Sequence, residues 1–296
     1  MSQVTELIGV DWGTSNVRVM RIGSDGTVLE ARRDTRGAFE LTPAEFSSTL
    51  QDVAGDWLGE GLPVLVCGMA GARGKWLETG YRNCPAGLGD LMPVPVEDAG
   101  GAISIVPGVA LAPDGALADV MRGEETQVMG LPDDAGAALV VTPGTHSKWI
   151  SVEDGRILDF RTFMTGDLFA AIRSGTVLGD QMSEPGADID AFKDGVRRAL
   201  ADHALTAVLF SVRTERLADR MAATSTADYL SGLLIGAEIA AQGFLAGRQI
   251  SLIGTPDLNA RYAEALAIAG VENVQTLDGT TATATGLWRI YKANRP

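Results

Sequence analysis

Val10–Val17, with the sequence VDWGTSNV, is the stretch that indicates the fold of this chain, because a similar pattern recurs at Val141–Lys148 as VTPGTHSK. Each stretch follows an apolar run and passes through a Gly-Thr pair into a second stretch rich in strand-forming residues. An Asp-Gly turn and a third strand-like run come next in both places, at 25–31 and 154–160. A strand–loop–strand–turn–strand unit written twice predicts two related domains, each presenting a Gly-Thr loop.

The two Gly-Thr loops also indicate a ligand. Loops of glycine and small hydroxyl residues bind anions, because their backbone N–H groups can approach a charged oxygen closely. Two such loops facing one ligand favour a chain of phosphates, and phosphotransfer as the reaction. The P-loop, Rossmann and zincin motifs are all missing from the sequence, so those classes have no support.

Length and composition fit a two-domain globular enzyme. A chain of 296 residues exceeds the usual size of one core, and 46% hydrophobic with 21% charged residues is ordinary. No apolar run reaches the ~18 residues of a membrane span, and the start of the chain does not resemble a signal peptide. Cys67 and Cys84 lack metal-ligand spacing. We therefore expect a cytoplasmic protein with no membrane partner.

The charge balance bears on possible partners. The 38 acidic and 24 basic residues give a net charge of −14, which argues against nucleic acid as a partner. It does not exclude small anions, since screening acts over ~8 Å and the groups that line a pocket dominate. A small-molecule substrate is the remaining expectation.

Strands that alternate with helices after each meander predict an α/β protein with mixed sheets covered by helices. We expect domains at 1–134 and 135–296, divided near Leu131–Gly136, with the last helix able to pack back on the first domain. The predicted helices are 43–57, 123–131, 164–174, 190–203, 229–245, 258–269 and 281–291. Further strands are expected at 63–67, 102–106, 249–253 and 271–277.

The first loop offers a metal ligand and phosphate donors. Asp11 ends a strand, where its carboxylate can hold Mg²⁺ beside the phosphates of a nucleotide, and Gly13, Thr14 and Ser15 follow it. The same residue types are also common in a simple turn after a strand. The matching second loop is what favours the functional interpretation.

The second loop contains more donors than the first. Gly144 and Thr145 supply backbone N–H groups, and His146, Ser147 and Lys148 add an imidazole, a hydroxyl and an ammonium group. The backbone is the stronger candidate for phosphate binding, because a lone histidine is usually structural and a lysine can be a solvated strand residue.

Glu124 and Glu125 open a predicted helix and are candidates for the general base. A carboxylate that orients an attacking hydroxyl and takes its proton accelerates such reactions by roughly 10²–10⁴. The alternative is that both glutamates only stabilise the positive end of the helix dipole.

Four other residues are weaker candidates. Arg73 and Lys75, in a glycine-rich segment, can bind a substrate carboxylate, but basic surface residues are common. Asp167 can contact a sugar hydroxyl or cap the helix that follows it. Gly254 lies between a predicted strand and helix, where the backbone can approach an adenine or ribose.

The chain resembles the 2-dehydro-3-deoxygalactonokinase family, within the superfamily of sugar kinases and actin-like ATPases. The resemblance runs through nearly the whole chain in the right order. The stretches that carry it are DWGTS at 11–15, CGM at 67–69, DVMRGEETQ at 119–127, PGTHSKW at 143–149, MTGD at 164–167, LFSVR at 209–213 and YLSGLLIG at 229–236.

This resemblance implies two ribonuclease H-like domains around an interdomain cleft. It implies ATP-dependent phosphorylation of 2-dehydro-3-deoxy-D-galactonate on its C6 hydroxyl, for a following aldol cleavage in galactonate catabolism. ATP and Mg²⁺ are then required: Asp11 organises the metal, the two loops hold the ATP phosphates, and Gly254 lies near the nucleoside.

Several alternatives stay open at this point. One inverted hydroxyl separates the galactonate from the gluconate epimer, so a related 2-keto-3-deoxy sugar acid is an alternative substrate. A phosphohydrolase and a nucleotide-responsive binding protein are further functions that suit the same scaffold. The helix at 229–245, rich in Gly and Ala, can pack inside the protein or between two copies, so a homodimer is also an alternative.

Overall fold

The computed structural model of the chain describes residues 4–97, 102–112, 119–132, 138–180, 182 and 188–295. They form two compact units. Unit 1 consists of Met1–Val140, Ile150–Arg161 and Leu277–Pro296, and unit 2 of Val141–Trp149 and Thr162–Thr276. The predicted boundary between residues 134 and 135 lies outside the described residues.

Strands and helices occur mostly in runs along the described chain and alternate one by one only near its end. The strands are β1 (Thr5–Trp12), β2 (Val17–Gly23), β3 (Val28–Asp34), β4 (Val64–Gly68), β5 (Tyr81–Asn83), β6 (Val94–Pro95), β7 (Ile103–Ile105), β8 (Gly108–Leu111), β9 (Asp119–Met121), β10 (Ala138–Thr142), β11 (Ser147–Glu153), β12 (Arg156–Phe163), β13 (Gln249–Gly254) and β14 (Asn273–Asp278). The helices are α1 (Glu45–Ala54), α2 (Glu124–Met129), α3 (Thr165–Gly175), α4 (Ile189–Ala201), α5 (Leu205–Val208), α6 (Ser211–Leu217), α7 (Thr226–Ala240), α8 (Pro256–Ile268) and α9 (Gly279–Ala293).

The two larger sheets repeat one pattern, as the sequence predicts. The first has the strand order β3-β2-β1-β4-β7-β6 and the second β12-β11-β10-β13-β14. In the first sheet β1 is antiparallel to β2 and parallel to β4, so the sheet is mixed. In each sheet the first meander strand lies between the second and a strand from much later in the chain. The Gly-Thr loops occupy equivalent positions, after β1 and after β10.

Apolar side chains bury both faces of β1, which explains its nearly continuous hydrophobic sequence. Trp12 is fully buried, and its ring centroid lies 4.7 Å from that of Phe46 and 5.7 Å from that of Trp76. This aromatic cluster fixes the end of β1 directly beside Asp11. The core of unit 1 therefore positions the first loop.

Helix α7 forms the centre of unit 2 and is buried along most of its length. Its Gly232 lies against the backbone of α4 at Phe192, where a side chain would collide. This close contact explains the small residues of the 229–245 segment within one unit. A homodimer therefore stays an untested prediction.

Some elements differ from the sequence-based expectation. Helix α1 begins at Glu45, two residues after the predicted start, and a 3-10 helix replaces it from Gly55 to Glu60. Helix α7 ends at Ala240 rather than near 245. The small sheet β5-β8-β9 and the short helices α5 and α6 were not predicted. Among the described residues, no helix has both the length and the hydropathy that a membrane crossing requires.

Candidate active site

Backbone hydrogen bonds from the segment after β3 hold the first Gly-Thr loop in place. The Gly13 N–H donates to the Asn16 carbonyl at 2.9 Å, which closes the turn. The carbonyls of Gly13 and Thr14 accept from the backbone N–H groups of Ala38 and Phe39 at 2.9 and 3.0 Å. The side chains of Thr14 and Ser15 are exposed. The loop is thus fixed by its carbonyls while its hydroxyl groups face solvent.

Asp11 lies at the end of β1 with its side chain 27% exposed. It is paired in register with Arg18 of β2 on one side and with Cys67 of β4 on the other. Burial raises the pKa of Asp11; the Arg18 guanidinium, 3.5 Å from Oδ2, lowers it, and the charge of Glu124 raises it further. A cation bound at this carboxylate would favour its ionised form.

Two glycines bring the start of α2 against the ends of β1 and β4. Gly68 has φ 84°, and a Cβ there would lie 2.5 Å from the Trp12 carbonyl oxygen. Gly123, with φ 107°, approaches the Gly68 Cα so closely that a Cβ would lie 3.5 Å from it. Because the backbones meet without side chains between them, the first residues of α2 lie close to Asp11.

The two glutamates of α2 have different surroundings. Glu125 is fully buried; one carboxylate oxygen accepts from the Gly123 N–H at 2.6 Å and the other from the Thr126 hydroxyl at 3.0 Å. Burial, followed by the charge of Glu124, raises the pKa of Glu125 to about 7. Glu124 is only partly buried and accepts from the Arg122 N–H at 3.0 Å. Of the two carboxylates, Glu124 is therefore the one that solvent or a substrate can reach.

Helix α9 supports α2 from behind. Gly286 and Gly130 form the crossing, where a side chain on either would collide with the carbonyl oxygens of Thr126 and Ala282 respectively. Arg289 of α9 also donates to the Leu131 carbonyl beyond the end of α2. The last helix of the chain thus helps to position the glutamates.

Arg73 and Lys75 lie in the turn after β4 and have different environments. The Lys75 ammonium group lies 3.4 and 3.5 Å from the carbonyl oxygens of Phe39 and Leu41, so it ties this turn to the segment beneath the first loop. Arg73 is exposed and has no hydrogen bond or ion pair with the other described residues. Arg73 is the freer of the two cations.

The second Gly-Thr loop, in unit 2, is held by the first turn of α3. The Asp167 N–H donates to the Thr145 carbonyl at 3.1 Å, and a Cβ on Gly166 would lie 2.7 Å from the Gly144 carbonyl oxygen. His146 Nε2 lies 2.6 Å from Asp167 Oδ2 on the exposed side of the loop. His146 and Asp167 thus contact each other, although the sequence predicts a phosphate ligand for His146 and a sugar hydroxyl for Asp167.

Ser147 and Lys148 turn inward. The Ser147 hydroxyl is fully buried and lies 2.8 Å from the hydroxyl of Tyr262. Lys148 is 4% exposed, and its ammonium group donates to the His146 carbonyl at 2.9 Å. Both side chains have roles inside the protein, so the outward surface of this loop consists of Gly144, Thr145 and His146.

Gly254 and Thr142 lie where β10 and β13 end. A Cβ on Gly254 would lie 3.5 Å from the Pro143 ring, so the end of β13 packs against the turn before Gly144. The Thr142 hydroxyl is buried and has no hydrogen-bond partner among the described residues. A cavity of about 150 Å³ begins at Gly144, and its walls include Phe169, Leu234 and Leu258.

Sequence reasoning missed a buried carboxylate beneath the second loop, that of Glu238 on α7. Its oxygens accept from the indole N–H of Trp149 at 2.7 Å, from the Tyr262 hydroxyl at 2.8 Å and from the Thr165 hydroxyl. The available signal was a single acidic residue within the apolar run 233–240.

The structure thus groups most of the predicted residues by unit. In unit 1 it brings Asp11 and Glu124 together, with Glu125 buried beneath them, while Arg73 and Lys75 lie in a separate turn. In unit 2 it brings the second loop together with Asp167 and Gly254. Among the described residues no three His, Cys, Asp or Glu side chains form a cluster that could hold a metal ion.

Comparison with known proteins shows relatives along nearly the whole chain. A protein of Rhizobium meliloti strain 1021, described as a probable 2-dehydro-3-deoxygalactonokinase, is 41% identical with 97% of each chain covered. The 2-dehydro-3-deoxygalactonokinase of Escherichia coli strain K12 is 34% identical, also with 97% of each chain covered. A crystal structure from Sinorhizobium meliloti, of a candidate 2-dehydro-3-deoxygalactonokinase, has a TM-score of 0.88 at 39% identity and covers 98% of this chain and 99% of its own.

The structure and these matches confirm the predicted fold class, an α/β protein with mixed sheets covered by helices. The model of the family described as 2-keto-3-deoxy-galactonokinase matches residues 11–290, from Asp11 at the end of β1 to the last helix. The chain belongs to the 2-keto-3-deoxy-galactonokinase family.

Proposed function

We propose that this chain is an ATP-dependent kinase that phosphorylates 2-dehydro-3-deoxy-D-galactonate on its C6 hydroxyl. The relatives from R. meliloti and E. coli are named as a probable 2-dehydro-3-deoxygalactonokinase and a 2-dehydro-3-deoxygalactonokinase. The observation that carries the proposal is a pair of carboxylates in unit 1. Asp11 lies at the end of a strand, and Glu124, which a substrate can reach, lies near enough for its charge to raise the pKa of Asp11. Phosphoryl transfer uses one acidic group to hold a cation and another to receive a proton.

In the proposed reaction the C6 oxygen attacks the γ-phosphorus of ATP in line with the leaving group. The bond from that phosphorus to the bridging oxygen breaks, and ADP leaves with the bonding electrons. Glu124 accepts the hydroxyl proton. Glu125 remains buried and fixes the Gly123 N–H, which holds the start of α2 in place.

The outward parts of the two loops are proposed to bind the ATP phosphates. In the first loop these are Gly13, Thr14 and Ser15, whose carbonyl side is already occupied by the segment below. In the second loop they are Gly144, Thr145 and His146. Ser147 and Lys148 then act by holding the loop from within rather than by contact with phosphate.

Asp11 is proposed as the ligand of Mg²⁺, which supplies positive charge beside the phosphates. The donor set fits this ion, because Mg²⁺ usually takes one or two protein carboxylates and completes its shell with phosphate oxygens and water. A partly exposed single carboxylate at the end of a strand satisfies that requirement without a dedicated cluster.

The cavity beside Gly144 is proposed to take the nucleoside base. It has about 150 Å³ of space and is mainly apolar, and Gly254 ends the strand next to it. Arg261 also lines it, and the Nη1 of that guanidinium is buried without a hydrogen-bond partner among the described residues. A planar heterocycle with acceptor nitrogens suits such walls.

The sugar-acid carboxylate is proposed to bind Arg73, which has a planar fork of donors and no competing partner among the described residues. Lys75 supports the turn that carries Arg73. Asp167 is proposed to contribute to substrate binding only indirectly, through its contact with His146 of the second loop.

A coupled assay of ATP consumption with a panel of 2-keto-3-deoxy sugar acids tests the function. We expect ADP formation only when the galactonate derivative is added, and a product phosphorylated at C6. Equal or greater activity with the gluconate epimer would overturn the assignment of the galactonate derivative as the substrate. Phosphate release without sugar would identify a hydrolase, and ATP binding without turnover would identify a nucleotide-responsive binding protein.

A further inference from the structure

Glu238 of α7 is a buried carboxylate beneath the second loop, and the reaction above does not use it. It is 2% exposed and its pKa is raised by burial. A charge in this position is costly, so its retention calls for hydrogen bonds that compensate it. The described neighbours supply three donors, from Trp149, Tyr262 and Thr165.

The directions of these hydrogen bonds follow from the donor chemistry. The indole N–H of Trp149 can only donate, so the Glu238 oxygen that it contacts must accept. When Tyr262 donates its only hydroxyl hydrogen to Glu238, the hydrogen between Tyr262 and Ser147 must come from Ser147. Ser147, the first residue of β11, is thereby linked to Glu238 of α7 through the hydroxyl of Tyr262 on α8.

Glu238 connects both sides of the second loop. Ser147 and Trp149 belong to β11, which begins where the loop ends. Thr165 is the first residue of α3, and the next two residues of that helix contact the loop at Gly144 and Thr145. One carboxylate thus fixes the strand after the loop and the helix on which the loop rests.

We propose that Glu238 is a positioning residue for the second Gly-Thr loop. It holds β11 and the start of α3 in the arrangement in which the outward N–H groups of the loop bind ATP phosphates. This inference rests on the proposed function for the identity of the ligand. Glu238 itself touches neither the nucleotide nor the sugar acid.

Two substitutions separate the role of the carboxylate from that of a buried side chain in general. Glu238→Leu removes every acceptor, whereas Glu238→Gln keeps one carbonyl acceptor and can donate to a hydroxyl of Tyr262 or Thr165 that rotates to accept. We expect the KM for ATP to rise about 10- to 100-fold in Glu238→Leu, with a smaller rise in Glu238→Gln. The KM for the sugar acid should stay close to that of the unmodified protein.

Thr226→Val is the matched control, because Thr226 is equally buried at the other end of α7 and its hydroxyl bonds only the nearby Ala223 carbonyl among the described residues. It should lower thermal stability without a change in the KM for ATP. Equal effects of Thr226→Val and Glu238→Leu on that KM would overturn the proposal, since Glu238 would then be a general stabilising residue.

Hydrogen exchange without nucleotide provides a readout that does not depend on activity. In Glu238→Leu the amide of Asp167, which donates to the Thr145 carbonyl, should exchange faster than in the unmodified protein and in Thr226→Val. Unchanged exchange there would contradict the positioning role. An absence of ATP-dependent phosphorylation in the unmodified protein would instead contradict the proposed function, and the exchange result would still decide the role of Glu238.

A milder pair of variants covers the case in which Glu238→Leu does not fold. Ser147→Ala and Tyr262→Phe each break the same chain of hydrogen bonds at a different point. Both should raise the KM for ATP, and the double variant should be no worse than the stronger single variant. Fully additive effects, or no effect in either single variant, would overturn the proposal.

Discussion

At the scale of single residues, the adjacent glutamates of α2 divide two tasks that the sequence could not separate. Both open the helix, and both can serve as a base by type and position. The structure makes Glu125 inaccessible and leaves Glu124 within reach of a substrate. Accessibility depends on which face of the helix meets β1 and β4, and it therefore requires the tertiary structure.

Glu124→Gln is expected to lower kcat by about 10²–10⁴, because an amide cannot accept the hydroxyl proton. The KM for ATP should change little, since Glu124 is not proposed to contact the nucleotide. Steady-state kinetics with the galactonate derivative measures both constants. Turnover of the Glu124→Gln/Glu125→Gln double variant at the unmodified rate would refute the assignment of the base to this helix.

Glu125 should make the stability of the protein depend on pH. Its pKa is raised from 4.5 to about 7, so the folded protein binds this proton more tightly than the unfolded chain does. That contribution is complete below pH 4.5 and is lost as the pH rises through 7, by about 3 kcal/mol at most. We expect Glu125→Gln, compared with the unmodified protein by urea unfolding, to gain relative stability between pH 5 and pH 8. An unchanged difference across that interval would show that Glu125 is not protonated in this way.

The loop residues themselves could be predicted, whereas the directions of their side chains could not. Gly13, Thr14, Gly144 and Thr145 follow from a local pattern that needs no partner. The inward turn of Ser147 depends on Tyr262, which is far away in sequence and reaches it only in the folded unit. Contacts of this kind carry no local signal.

At the scale of elements, the start of α3 acts as the support of the second loop. Gly166→Ala would place a methyl group 2.7 Å from both the Gly144 carbonyl oxygen and the Thr145 Cα, so the loop must move. We expect a rise in the KM for ATP together with a loss of about 1–3 kcal/mol in the free energy of unfolding. Both quantities can be measured on one purified variant.

Gly175→Ala is the control on the same helix. Gly175 is the last residue of α3, and nothing lies within 4 Å of a Cβ built there. The KM for ATP should not change, and stability should stay the same or improve by up to about 1 kcal/mol. If Gly166→Ala behaved like Gly175→Ala, the loop would not rest on α3 in solution.

Long elements with a clear period were predicted within a few residues, and short ones were missed. The predicted 258–269 helix corresponds to α8 at Pro256–Ile268, and the predicted 249–253 strand to β13 at Gln249–Gly254. The strands of the small sheet have only three or four residues each, and β5 pairs with β8 across the segment 84–107. Such strands form only after the rest of the unit brings them together.

At the scale of the whole molecule, unit 1 depends on the end of the chain. Helix α9 buries Leu287, Trp288 and Ile290 against unit 1. At 1.5–3 kcal/mol for each side chain, these account for roughly 5–9 kcal/mol, which is comparable with the entire stability of a typical domain.

Removal of residues 279–296 should therefore abolish cooperative unfolding of unit 1 and all kinase activity. Circular dichroism during heating and the coupled assay measure the two effects. A control that lacks only residues 295–296 should retain both properties, because α9 ends at Ala293. Normal activity in the longer deletion would contradict the assignment of α9 to this unit. The predicted division at residues 134/135 stays a prediction.

Because α9 belongs to unit 1, that unit starts first during synthesis but is completed last. Ribosomes add about 5–20 residues per second, so the last 20 residues of unit 1 follow Thr276 by roughly one to four seconds. Every residue of unit 2 has been made by that time. The middle of the polypeptide can finish folding first, while the N-terminal β-sheet waits for its final helix with part of its apolar surface uncovered. Chaperones bind uncovered apolar surface of this kind, so we expect the earliest-made strands to be a chaperone target during that interval.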